Sequence, residues 1–232
     1  ICRWADLAAL LRRAARAAPP ARRVTSLFGV LLIALSVGAH AHADPYALDF
    51  ADAGALGSVV RQGSQSHQAE GGYMLLRGGS SVYAAQPTGP GVYHVRFRMI
   101  EAENFQYHVP LAEFFKADPA NPESDGYSIN WQPWGLITLT ATVGGERVHS
   151  RQFIDPGPDN RNRYEPGTPV DLTLRVPPEG DCVEVYTFRT TPEGAPTCRF
   201  KLLDLPLQGH FGWRNTKAYS DAWVHVLSYR AE

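Results

Sequence analysis

Gly91-Val92-Tyr93-His94-Val95-Arg96-Phe97-Arg98-Met99-Ile100 alternates without a break. In an extended chain Tyr93, Val95, Phe97 and Met99 share one face, and His94, Arg96 and Arg98 share the other. Period two over this length predicts a half-buried β-strand, and the pattern recurs on both sides of it. Val170–Val176 sets Val170, Leu172, Leu174 and Val176 against Asp171, Thr173 and Arg175. Gly126–Trp131 groups Tyr127, Ile129 and Trp131. Leu136–Val143 and Glu146–Phe153 flank Gly144-Gly145, a two-residue hairpin signal. Ala222–Tyr229 is the last such run. Gly- and Pro-rich turn signals punctuate the chain from Gly71-Gly72 to Pro192-Glu193-Gly194, which predicts an all-β sandwich or barrel. One stretch resists assignment. Leu111–Ala117 fits a short helix, an irregular insertion or a strand, and Asp118-Pro119 ends it in any case.

The first forty-three residues differ in kind. They carry Arg3, Arg12, Arg13, Arg16, Arg22 and Arg23 against one acid, Asp6. An apolar run from Leu27 to Val37 follows, and Ala41-His42-Ala43 presents small residues at the positions a signal peptidase reads. The run is far shorter than the ~20 residues that cross a bilayer. Residues 1–43 therefore read as an export signal, and residues 44–232 as a single β-sandwich domain that begins near Asp44 and is periplasmic or secreted. Arg22-Arg23 fits twin-arginine export and an ordinary basic region equally well.

Loss of that leader moves the formal charge from −1 to −6, because six arginines and one aspartate leave with it. Such a balance argues against nucleic acid, which needs clustered Lys and Arg. No later segment is apolar and long enough for a helical membrane span. Cys2 also leaves; Cys182 and Cys198 remain, an even pair for which an oxidising compartment predicts a disulfide. Such a loop would contribute about 3 kcal/mol.

The order of features resembles the concanavalin A-like lectin/glucanase superfamily. The resemblance rests on Leu48-Asp49-Phe50, on Gly91–Arg98, on Asp125-Gly126-Tyr127-Ser128-Ile129-Asn130-Trp131 before a Gly-Gly hairpin, and on the closing Gly209-His210-Phe211-Gly212-Trp213-Arg214-Asn215 with Asp221-Ala222-Trp223-Val224-His225-Val226. It implies a two-sheet antiparallel jelly-roll and a ligand on its outer face or rim. It also allows a structural calcium between the first and last strands, for which Asp49 and Asp221 are the candidates. Laminarinase-like members carry their acids as E-x-D-x-E on one strand; no such string occurs here, and Glu113, Glu123 and Asp125 cluster around Pro119 and Pro122.

Three groups of side chains could meet a glycan. Gln106, Tyr107 and His108, with Arg96, could neutralise and deprotonate a uronic acid; a half-exposed strand with a polar wet face explains the same residues. Asn130, Gln132 and Trp134 could bond hydroxyls and stack on a sugar ring, beside Tyr127 and Trp131 as core. Trp213 could be a stacking platform and Arg214 a carboxylate fork, or the pair could be a packed indole and an ion-paired arginine. The sequence thus predicts an exported protein that recognises a poly- or oligosaccharide without a cofactor. A polysaccharide lyase and an envelope structural protein are the rival readings.

Overall fold

A computed structural model describes residues 44–100, 110–154, 159–216 and 221–232. These residues form fifteen strands in two antiparallel sheets. The eight-stranded sheet contains β1 (Tyr46–Asp49), β3 (Gln65–Gln68), β4 (Tyr73–Leu76), β6 (Gly91–Met99), β11 (Val170–Val176), β12 (Cys182–Thr187), β13 (Cys198–Lys201) and β15 (Ala222–Ala231). Its order is β13-β12-β11-β6-β15-β4-β3, with β1 pairing the later half of β15. The seven-stranded sheet contains β2 (Val59–Gln62), β5 (Ser81–Ala84), β7 (Pro110–Lys116), β8 (Gly126–Trp131), β9 (Ile137–Val143), β10 (Glu146–Phe153) and β14 (His210–Asn215). Its order is β10-β9-β8-β7-β14-β5-β2.

The alternation read in the sequence decides which side chains lie between the sheets. Tyr93, Val95, Phe97 and Met99 of β6 are buried there with Leu172 and Leu174 of β11. The facing sheet contributes Ala112, Phe114, Tyr127, Ile129, Trp131, Leu139, Phe211 and Trp213. Phe97 joins the two layers, its ring centroid 4.3 Å from that of Trp213 and 6.1 Å from that of Trp131. Each fully buried large apolar side chain is worth about 1.5–3 kcal/mol, so this continuous layer is the main source of stability. Gly144 and Gly145 have φ of 61° and 80°, the two left-handed residues that the β9–β10 hairpin turn requires.

Two expectations are resolved by strand register. Pro110–Lys116 is a strand, not a helix. Its pattern was ambiguous because it is bulged: Phe114 and Phe115 together oppose Phe211, since Gly212 pairs with Glu113 and His210 with Lys116. Phe115 takes φ of 54° at this point.

The predicted disulfide is overturned: Cys182 and Cys198 are both free. In the β12–β13 ladder Cys182 pairs with Lys201 and Cys198 with Val185. Three positions of offset amount to about 10 Å along the strands, beyond the ~7 Å Cα separation a disulfide spans. The two also point to opposite faces, because Cys198 shares the buried side of Val185 while Cys182 alternates with buried Val183. Burial pushes the Cys198 thiol up to about 12 and, with Asp181 beside it, the Cys182 thiol up to about 11, so both stay protonated.

Candidate functional site

The register of the seven-stranded sheet fixes which residues share its outer face. One row across the strands runs Tyr83, Gly212, Glu113, Ser128, Thr140, Ser150. The next runs Ser81, Arg214, the backbone of residue 111, Asn130, Thr138, Gln152. Apart from Gly212 and position 111, every place in the two rows carries a hydrogen-bonding side chain. The floor is deeply set: Ser128, Asn130 and Thr140 are each 8% exposed and Glu113 is 3% exposed. Ser81 Oγ and Asn130 Oδ1 are buried without a hydrogen-bond partner, which costs free energy until something supplies one.

Glu113 sits where the first row is most crowded. The Tyr83 hydroxyl donates to its Oε2, reaching across Gly212. Only glycine permits this reach: a Cβ at position 212 would lie 2.4 Å from Tyr83 Cδ1 and 2.3 Å from the Val82 carbonyl oxygen. The bulge at Phe115 turns Lys116 onto the same face as Glu113. Burial raises the Glu113 pKa, while Lys116, the Tyr83 hydrogen bond and Arg214 work the other way. Burial, and then Glu113, drive the Tyr83 pKa far up, so the phenol remains the donor.

Lys116 and Arg214 hold the loop after β7 over this end of the face. Lys116 Nζ donates to the carbonyls of Pro122, at 2.9 Å, and Ser124. Arg214 Nη1 donates to the same Pro122 oxygen at 2.9 Å, and its Nη2 pairs with Glu123. Glu113 Oε1 lies 3.9 Å from Arg214 Nη1.

Beyond Asn130 the chain turns at Gln132–Gly135 and exposes Trp134, which is 37% accessible. The turn is clamped from a second segment. Asn160 Nδ2 donates to the Trp134 carbonyl, Asn162 Nδ2 to that of Gly135 at 3.1 Å, and the Tyr164 amide to that of Pro133 at 3.1 Å. In return Trp131 Nε1 donates to the Asn162 carbonyl at 2.8 Å. Trp134 borders a hollow of about 800 Å³, shared with Asn160, Arg161, Arg163, Tyr164 and Glu165. An exposed indole on a turn with its own backbone groups satisfied is a rigid apolar platform beside polar side chains.

No protein-family description matches the sequence, and no curated protein matches it. Solved structures do match in shape. The carbohydrate binding module CBM66 from Bacillus subtilis superposes with a TM-score of 0.53 at 14% identity, covering 75% of this chain and 96% of its own. The Bacillus licheniformis beta-glucanase gives 0.55 at 11% identity, over 81% of this chain and 98% of its own. The VIP36 exoplasmic/lumenal domain, in its Ca2+/Man3GlcNAc-bound form, gives 0.56 at 14% identity, over 82% and 90%. The fold is the concanavalin A-like jelly-roll. At these identities the likeness is one of architecture.

Within the jelly-roll the residues singled out from sequence separate. Asn130 lies on the outer face, with Gln132 and Trp134 in the turn beyond it. Trp213 is corrected: it is 0% exposed and points inward onto Phe97, so it cannot stack on a ligand. Arg214 is on the outer face but is not a free fork, since Glu123 and the Pro122 carbonyl occupy it. Arg96 is exposed on the outer face of the other sheet, beside Asp171 and Val226 in the ladder. Gln106, Tyr107 and His108 fall outside the described residues.

The calcium pair is corrected too. Asp49 pairs with Val226, while Asp221 is five residues earlier on the same chain segment, about 16 Å away at strand rise. Asp49 Oδ1 instead accepts from the Ala51 amide in its own turn. One ion cannot take both carboxylates, and no group of three His, Cys, Asp or Glu among the described residues is placed to hold a metal.

Tyr83 and Glu113 went unnoticed as a pair in the sequence. They are thirty residues apart, and only the glycine in Phe211-Gly212-Trp213 hints that a large side chain must cross β14.

Proposed function

We propose that this is an exported carbohydrate-binding jelly-roll protein that lays a poly- or oligosaccharide along the outer face of its seven-stranded sheet, with Trp134 as the stacking platform. The observation that carries this is the pair of polar rows, sunk in the face and leading to a clamped, exposed indole. Sugars offer apolar ring faces and many hydroxyls, and this surface offers the complement of both. Among the described residues the chemistry available favours binding over cleavage. β8 presents Ser128 and Asn130 outward, neither of which exchanges a proton with a glycosidic oxygen. The Glu113 carboxyl is taken up by Tyr83 and two cations.

Affinity electrophoresis in native gels containing single glycans, neutral and acidic, tests the reading. The parent protein should be retarded by at least one glycan, and W134A and N130A should run faster in that gel while keeping the parent melting temperature. A parent that no glycan retards, or a W134A variant with unchanged retardation, would overturn it. Export is checked by N-terminal sequencing of the mature protein, which should begin at Asp44.

A further inference from the structure

A second cluster lies on the opposite side of the molecule, on the outer face of the eight-stranded sheet. Its geometry starts from an irregularity in β15. Val224 pairs with Phe97 and Val226 with Arg96, so His225 is an extra residue, a bulge. Trp223 pairs with Arg98, whose alternation along β6 turns it outward; Val224 is buried inward. Alternation places His225 on the outward side with Trp223, and the extra residue turns Val226 to that side as well, opposite Arg96.

Trp223 is held between two neighbours, one from each flanking strand. The Tyr73 ring of β4 stacks on it at 4.3 Å and 4°, and the Arg98 guanidinium of β6 lies 3.5 Å from the ring centroid. His225 Nδ1 donates to the Gly72 carbonyl at 2.7 Å, which fixes its tautomer and leaves Nε2 as the bare nitrogen. That Nε2 and the Trp223 Nε1–H are buried and without partners. Burial, Arg98 and Arg96 lower the imidazole pKa, opposed by the Gly72 bond and Asp49.

The charge here is unbalanced. Among the described residues neither Arg96 nor Arg98 has an ion pair or hydrogen bond. Asp171, the cross-strand neighbour of Arg96, lies 3.3 Å from His94 Nε2, and Asp49 is turned to the Ala51 amide. A guanidinium held over the face of an indole can still donate from its N–H edge, so less freedom is lost when it takes a planar anion. Two such cations two residues apart on one strand face want a counter-anion, and none of the described residues is ion-paired with them.

We propose that Arg98, stacked on Trp223, and Arg96 form a second binding site, for the carboxylate or sulfate oxygens of an acidic glycan. Arg98 is the two-pronged donor and Arg96 the second cation. The site is independent of the outer face that holds Trp134 and takes a different chemistry.

Calorimetric titration of the mature protein with oligogalacturonate, chondroitin sulfate, neutral dextran and sodium sulfate decides the matter. One or both acidic glycans should bind, and dextran should not bind through this site. R98A should weaken acidic-glycan binding roughly ten- to hundredfold, the range for losing hydrogen bonds to a charged group, and R96A should weaken it as well. R98K, which keeps the charge and loses the fork, should also bind more weakly than the parent. R61A removes the same charge from an exposed strand elsewhere and should bind like the parent. Preference for oligogalacturonate assigns the carboxylate source, preference for chondroitin sulfate the sulfate source. Failure of both acidic glycans to bind, or equal losses in R61A and R98A, overturns the proposal. So does an acidic-glycan affinity abolished by W134A and untouched by R98A, R98K and R96A. Loss of retardation by neutral glycans in W134A bears on the other face alone.

Discussion

Gly212 is a residue whose importance lies in what it lacks. Its missing Cβ leaves the lane through which Tyr83 reaches Glu113. G212A must push Tyr83 aside or shift β5, and overpacking of this kind costs about 1–3 kcal/mol. Chemical denaturation should show that loss, and the stability contributed by the Tyr83 hydroxyl, measured as Y83F against parent, should vanish in the G212A background. Glu113 makes a second prediction. Its folded pKa is raised by burial, so the native state holds the proton where the unfolded chain has released it. That contribution is complete below the ordinary carboxylate pKa and is lost as pH rises through the raised value. Melting temperature against pH should therefore fall less steeply across this window in E113Q than in the parent. At this scale the sequence was partly readable. Asn130 and Trp134 could be chosen because an amide and an indole declare their chemistry locally. Trp213 could not be judged, because inward or outward orientation depends on register with β5 and β7, which pairing sets and composition does not.

Among the elements, the turn at Gln132–Gly135 depends on a segment almost thirty residues away. Asn162 is 1% exposed; its amide donates to the Gly135 carbonyl and accepts from the Thr187 hydroxyl at 2.6 Å. N162A strands the Gly135 carbonyl, at about 1–3 kcal/mol for a group left unsatisfied, and leaves the Thr187 hydroxyl with Thr197 alone. It should lower the melting temperature and also release Trp134, so glycan retardation should weaken even at temperatures where the variant is fully folded. The β12–β13 ladder gives a prediction of a different kind. Thiol titration of the denatured, unreduced mature protein should find two reactive groups, and reductant should leave the melting temperature unchanged. Strands with unbroken alternation, such as β6 and β11, were legible from their side chains alone. β7 was not, because its bulge places two successive phenylalanines inward and destroys period two. The cysteine pairing failed for a related reason: spacing along the chain says nothing about offset across a ladder.

At the scale of the whole molecule, an all-β sandwich or barrel followed from turns and alternation and the two-sheet jelly-roll from the resemblance, but the order of strands followed from neither. The first and last strands pair directly, Tyr46 with Tyr229 through Asp49 with Val226. Both of the final strands are interior. β14 lies between β7 and β5, and β15 lies between β6 on one side and β4 with β1 on the other. The early strands β2 to β5 pair only among themselves and with these two. The segment before Gly91 therefore has no place to dock until the C-terminal strands have been synthesised. Loop closure over nearly the whole length makes such assembly slow and confines it to the time after the chain leaves the ribosome. A nascent chain without β14 and β15 can complete neither sheet. Deleting Ala222–Ala231 should accordingly give a protein that does not reach the folded state, because it takes an interior strand from one sheet and leaves β1 and the β3–β4 pair with nothing to join.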